Sequence, residues 1–160
     1  MIDEKKEAAL LMRVKELLAP VPAAEHFVVR WTEYVHLIDD IIDGDVELDA
    51  NVLLKLTAWA AEIFSSEYYH QFRQFLYPVV ILTNNTYGDS VQWEHSDEAW
   101  KRRHADALRH TGYDMFFIIV MIHCGYEKMR EISIEFREYS HLKHLKDYSE
   151  DPQKDNETDK

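Results

Sequence analysis

The amino-acid sequence predicts an all-α, single-domain bundle of about six helices with one fully buried central helix. Three observations lead there. Glycine and proline number only four each in 160 residues, too few breakers for a turn-rich β fold. Hydrophobic residues make up 46% of the chain and recur at steps of three and four, which lays an apolar stripe along a helix. The run Met115-Phe116-Phe117-Ile118-Ile119-Val120-Met121-Ile122 is apolar on every side, as suits a helix surrounded by others, and is too short to span a bilayer.

The elements follow in order. A first helix over about 3–18 carries Ala9, Leu10, Met12, Val14, Leu17 and Leu18 on one side, and Pro20-Val21-Pro22 ends it. A second runs over about 23–43, with Phe27, Val28, Trp31, Val35, Ile38 and Ile42 as its apolar face. The turn at Gly44 leads to Asp49, a natural N-cap, and a third helix over about 50–64 turns Leu53, Leu56, Trp59, Ala60 and Ile63 inward. Ser65-Ser66 marks a break or a weak point. A fourth helix then continues to about Trp93, with a bend expected at Pro78. Ser96 or Asp97 caps a fifth, which passes Gly112 and continues through the apolar run; a sixth, amphipathic helix covers about 126–146. The helical domain is thus placed at 1–147. Residues 148–160 read as a disordered acidic tail, because they hold too little apolar surface to bury.

A net charge of -12 argues against nucleic-acid binding, which rewards Lys and Arg. An acidic chain that handles phosphates would need metal ions to do so. The lone Cys124 excludes a disulfide framework and reads as a core residue. The charged opening Met1-Ile2-Asp3-Glu4-Lys5-Lys6-Glu7 is not a signal peptide, so a cytoplasmic location without a membrane span is expected.

The most informative chemistry is Asp39-Asp40-Ile41-Ile42-Asp43. Three carboxylates at steps of three and four share one helix face, and they lie at a helix C-terminus, where the dipole is already negative. A hard cation such as Mg²⁺ or Mn²⁺, itself bound to a phosphate, would relieve that repulsion. A solvated acidic helix end is the plainer alternative. Glu33 and His36 continue the polar stripe with Asp40 and Asp43; His36 could orient a carboxylate or a metal-bound water.

Two further ridges could converge on the cluster. Asn85 with Asp89, and Thr86 with Ser90 and Glu94, are spaced one turn apart and offer oxygen ligands to a second ion. The other ridge is Arg102, Asp106, His110 and Asp114, which enters the most apolar helix. There Asp114 must find a partner or shift its pKa, so His110 and Asp114 form either a structural or a catalytic pair. Arg102, Arg103 and Arg109 are the natural grip for a phosphate.

The string Leu37-Ile38-Asp39-Asp40-Ile41-Ile42-Asp43 resembles the first aspartate-rich motif of class I isoprenoid synthases. That resemblance implies Mg²⁺ held by Asp39, Asp40 and Asp43 against a substrate's diphosphate inside an all-α bundle. Thr86, Ser90 and Glu94, with Asn85 one place early, are similar to the family's second ligand array. The stretch from Trp31 to Asp40 also looks like the first metal helix of all-α nucleoside triphosphate pyrophosphohydrolases, the dimeric dUTPase group among them. This implies Glu33 with Asp40 or Asp43 as ligands, Asp114 in a second motif, and a possible homodimer. A third reading takes the Glu-x-x-His pairs Glu33/His36, Glu67/His70 and Glu138/His141, with Glu94 or Glu98, as a ferritin-like di-iron set. The fourth is non-enzymatic: aromatic residues such as Tyr68, Tyr77 and Tyr126 suit a partner-binding or oligomeric bundle.

Overall fold

The computed structural model describes the backbone over residues 2–149 and the side chains over 9–138 apart from Asp106. Helices α1 (Ile2–Leu18), α2 (Pro22–Asp43), α3 (Ala50–Ser65), α4 (Glu67–Glu94), α5 (Ala99–Arg109), α6 (Asp114–Cys124) and α7 (Tyr126–Ser149) follow one another, with a 3₁₀ turn, His110–Tyr113, joining α5 to α6. The described residues contain no strand. The all-α fold class is therefore as expected. The expected α5–α6 rod is one continuous helical path that tightens to 3₁₀ geometry around Gly112. Of the tail expected at 148–160, Tyr148 and Ser149 instead close α7, and 150–160 lie outside the described residues.

Local chemistry sets the boundaries. Pro22 occupies the first turn of α2, where its missing N–H is no loss. At the other end Gly44 adopts φ +82°, its N–H donates to the Ile41 carbonyl at 3.3 Å, and Asp45 N–H donates to the Asp40 carbonyl at 2.9 Å. This is a Schellman cap, which only glycine enters without strain. Asp49 caps α3 by accepting the Val52 N–H at 2.8 Å. Ser66 caps α4, accepting the Tyr69 N–H at 3.1 Å, so Ser65-Ser66 is a true break.

The core lies where α6 meets α1, α2, α4 and α7. Val14 and Leu18 of α1, Phe27, Val28 and Trp31 of α2, and Leu76 of α4 close around Met115, Phe116, Ile119 and Val120; Ile132 and Phe136 of α7 complete the enclosure. The central helix emerges at the exposed Met121. Met115, Phe116, Phe117, Ile119 and Val120 are buried, but Asp114 and Ile118 are only half-buried, so the helix is central without being enclosed on every side. α3 departs further from expectation, for Leu53 and Leu54 are exposed and only Ile63 is buried. Its main neighbours are α2 and α4, and Arg30 and Lys55 cover the Trp59 ring at 5.3 and 4.4 Å.

Candidate site: a carboxylate clamp at the rim of a cleft

Asp39 and Asp43 lie one turn apart on the last two turns of α2 and face α4 and α5 across a cleft. Arg109 is the last residue of α5, where a cation also suits the helix dipole. Its guanidinium forks onto Asp43, with Nη1 and Nη2 at 3.1 and 2.9 Å from the two carboxylate oxygens. Nη2 also donates to Glu94 Oε2 at 2.8 Å, and Nη1 lies 3.6 Å from Asp39 Oδ1. Tyr87 completes the set: its hydroxyl donates to Asp39 Oδ1 at 2.5 Å, and the Arg109 guanidinium sits 5.5 Å from its ring centre.

Three carboxylates thus share one guanidinium. Burial raises the Glu94 carboxyl above its ordinary pKa, and the neighbouring Asp43 and Asp39 push the same way against Arg109. Burial likewise raises the Tyr87 hydroxyl, helped by its hydrogen bond to Asp39. Burial alone would lower the Arg109 pKa, but the hydrogen bond to Asp43 and the charge of Glu94 outweigh it and raise it. The guanidinium remains charged, and the site keeps a surplus of negative charge whenever all three acids are ionised.

Behind this rim the cleft has a volume of about 640 Å³. Thr83, Asn84, His36 and His110 line its polar side, and Val35, Ile38, Tyr113, Phe116 and Phe136 its apolar side. The His110 ring stacks on Tyr113 at 5.8 Å, and Tyr113 packs on Phe136 at 4.8 Å. Thr86 and Thr111 hydroxyls, 2.6 Å apart, pin α4 to the 3₁₀ turn and hold the two walls together.

The structure gathers only part of the expected site. Asp39, Asp43, Glu94 and Arg109 meet, with His36 and His110 along the same cleft. Asp40 is exposed, a helical step away from its neighbours, where its carbonyl serves the cap. Glu33 is exposed and paired with Arg30 at 2.6 Å. Asn85 and Asp89 are exposed and bonded to each other at 3.3 Å, while Ser90 is fully buried. Arg102 donates to the Ser96 carbonyl at 2.7 Å, and Arg103 is exposed; neither lines the cleft. Asp114 pairs with Arg137 at 3.6 Å, and burial raises its carboxyl against that partner.

Among the described residues no three His, Cys, Asp or Glu side chains converge as a metal-binding group, so the eight-residue ligand set does not assemble. The di-iron set is likewise apart where it can be followed: Glu33 and Glu94 hold different arginines, and the His141 side chain lies outside the described residues. Tyr87 and Thr83 were missed, although the core positions Leu76 and Val80 continue at alternating steps of three and four to Thr83, Tyr87, Ser90 and Glu94. No helix among the described residues is long and apolar enough to cross a membrane. No family model, curated protein or solved structure matches the chain.

Proposed function

We propose that the cleft binds a small molecule with a diphosphate-type head and an apolar body, through Mg²⁺ or Mn²⁺ carried by Asp39 and Asp43. The supporting observation is the pairing of surplus carboxylate and a guanidinium at the rim with an aromatic floor at Phe116 and Phe136. Mg²⁺ commonly takes one or two protein carboxylates and completes its shell with water and phosphate oxygens. Two converging aspartates fit that habit, where a dedicated cage would need more. Asp39 and Asp43 would hold the metal, whose charge would steady the phosphate, and Arg109 would turn its fork from Asp43 to the phosphate, exchanging one bidentate anion for another. The cleft volume suits a small molecule whose apolar part lies against Tyr113 and Phe136.

A second reading has its own observation: Arg109 already satisfies Asp43 and Glu94, as a purely structural clamp would. The two part in a thermal melt with Mg²⁺, with inorganic diphosphate, and with both. At ligand concentrations of about 100 times Kd, binding stabilises by about 2.7 kcal/mol and raises the melting temperature by roughly 5–10 °C. The ligand reading expects that rise with both additives present, and its loss in Asp39→Asn. A melt unmoved by either additive, alone or together, leaves the clamp as the whole role of the site.

A further inference from the structure

We infer that the outer face of α4 is the contact surface between two copies of this chain. Residues 74–88 form the longest stretch of the sequence without a charged residue or a histidine, in a protein where 30% of residues are charged. Its run from Phe75 to Leu82 is apolar on every side, as suits a helix in an interior. Yet this one is open to solvent along one side: Leu82 is 64% exposed, Ile81 and Tyr77 48%, Phe75 43%, and Pro78 is exposed as well. Phe75, Pro78 and Leu82 follow at steps of three and four, and Ile81 lies beside them, so they form one ridge. The inner side of the same helix, Leu76, Val80 and Thr83, is fully used by the core.

The occupant is narrowed by charge. A chain of net charge -12 repels anionic lipid and nucleic acid, and Arg73, the one lysine or arginine on α4, is too little basic fringe to hold a membrane surface. The sequence of 150–160 offers no apolar surface to match the ridge, Pro152 being its sole apolar residue. A neutral apolar ridge needs a neutral apolar partner, and the same ridge on a second copy is one. It also lets two acidic molecules meet without bringing their acids together. The nearest charges beyond the two ends are opposite, Arg73 before the ridge and Asp89 after it. In a twofold, antiparallel pairing each end therefore meets the opposite charge, whereas a parallel one would set like against like. Ten side chains from Gln71 to Asn85 are exposed, and the eight that remain without Arg73 and the cleft-lining Asn84 offer roughly 600 Å² on each copy, about 1,200 Å² together, the lower end of the range for specific dimers. A reversible dimer follows, independent of what the cleft binds.

Sedimentation equilibrium on the full chain tests it. The wild type should dimerise reversibly in the micromolar range, and Leu82→Asp should weaken association by about 100-fold or more while keeping the helical circular-dichroism spectrum. Leu54→Asp, on an exposed α3 position away from the ridge, should leave association unchanged. On a Cys124→Ser background, Leu82→Cys, next to the twofold axis that sets Arg73 against Asp89, should oxidise to its self-pair, whereas Phe75→Cys, about 18 Å from its mate along the helices, should not. A wild type that stays monomeric, a folded Leu82→Asp that still dimerises, or monomers that float with zwitterionic lipid vesicles through Leu82 would overturn the inference. A Phe75→Cys self-pair would overturn the antiparallel arrangement.

Discussion

Replacing Arg109 by methionine isolates the charge at the rim from its packing, because methionine keeps much of the aliphatic bulk and removes every donor. The side chain is 18% exposed, whereas Asp39, Asp43 and Glu94 are 33–42% exposed. Removing one member of a fully buried ion pair costs about 3–5 kcal/mol; the partial exposure of these acids roughly halves that, to about 2 kcal/mol. For a chain of this size the melting temperature should fall by roughly 4–8 °C at pH 7. The pH dependence carries the argument. Arg109 is the main influence lowering the Glu94 carboxyl, so without it burial and the neighbouring Asp43 and Asp39 charges lift the Glu94 folded-state pKa further above the unfolded one. Such a group favours the fold while protonated, and that advantage is lost as pH rises through the folded value. The gap between wild type and Arg109→Met should therefore be widest at neutral pH and close towards pH 4. Melting curves at half-unit intervals, read by circular dichroism, give that profile. Added Mg²⁺ should return part of the loss in the variant, since it substitutes one cation for another. A gap that stays constant from pH 7 to pH 4 would mean that the loss is packing, and the electrostatic account of the rim would fail.

The same reasoning reaches other positions. Because burial and the two aspartates hold the Glu94 carboxyl above its ordinary pKa despite Arg109, Glu94→Gln should melt no lower than wild type at neutral pH, with any gain vanishing as pH falls below 4.5; a clear loss at pH 7 in a melting series would refute it. Burial depresses the pKa of His123, whose Nε2 lies 2.8 Å from the Tyr68 hydroxyl. Its neutral form therefore supports the fold above pH 6.5, the support is lost as pH falls through the depressed value, and a urea series from pH 7 to 5 should show a slope that His123→Gln flattens. Gly44→Ala meets no atom within 4 Å yet must hold φ +82°, so it should cost about 1–2 kcal/mol in urea unfolding through backbone strain alone. An Asn at the same place should recover part of it. Met115→Ala, at a fully buried position of α6, should cost about 2–5 kcal/mol, and a value under 1 would contradict the close packing of the centre.

What could be read from the sequence, and what could not, divides along a physical line. Caps and breakers act over four residues, so Asp49 and the Pro20–Pro22 segment were readable and the helices they bound appear in place. Cores act through periodicity, so Val14, Phe27, Trp31 and the α6 run were readable too. α3 misled because periodicity shows which residues share a face but not how far a neighbour covers it; that face is half-buried from Leu56 onward and buried at Ile63, but exposed at Leu53. The site failed in the same way. Like charge on one helix pointed to a cation beside Asp39, Asp40 and Asp43, and the spacing alone suggested a hard metal ion. The sequence could not show that the cation is at hand 66 residues later, because a pairing across helices leaves no trace in local spacing. Arg109 had been grouped with Arg102 and Arg103 by proximity in the chain, yet those two project from α5 on sides away from the cleft. The choice among ridges on α4 was open to a better argument. Extending the core register from Leu76 and Val80 selects Tyr87 and Glu94 and rejects Asn85 and Asp89, since a helix cannot turn both ridges toward the same neighbour. Spacing within a ridge identifies possible ligands, and only its phase relative to the core decides which of them can meet.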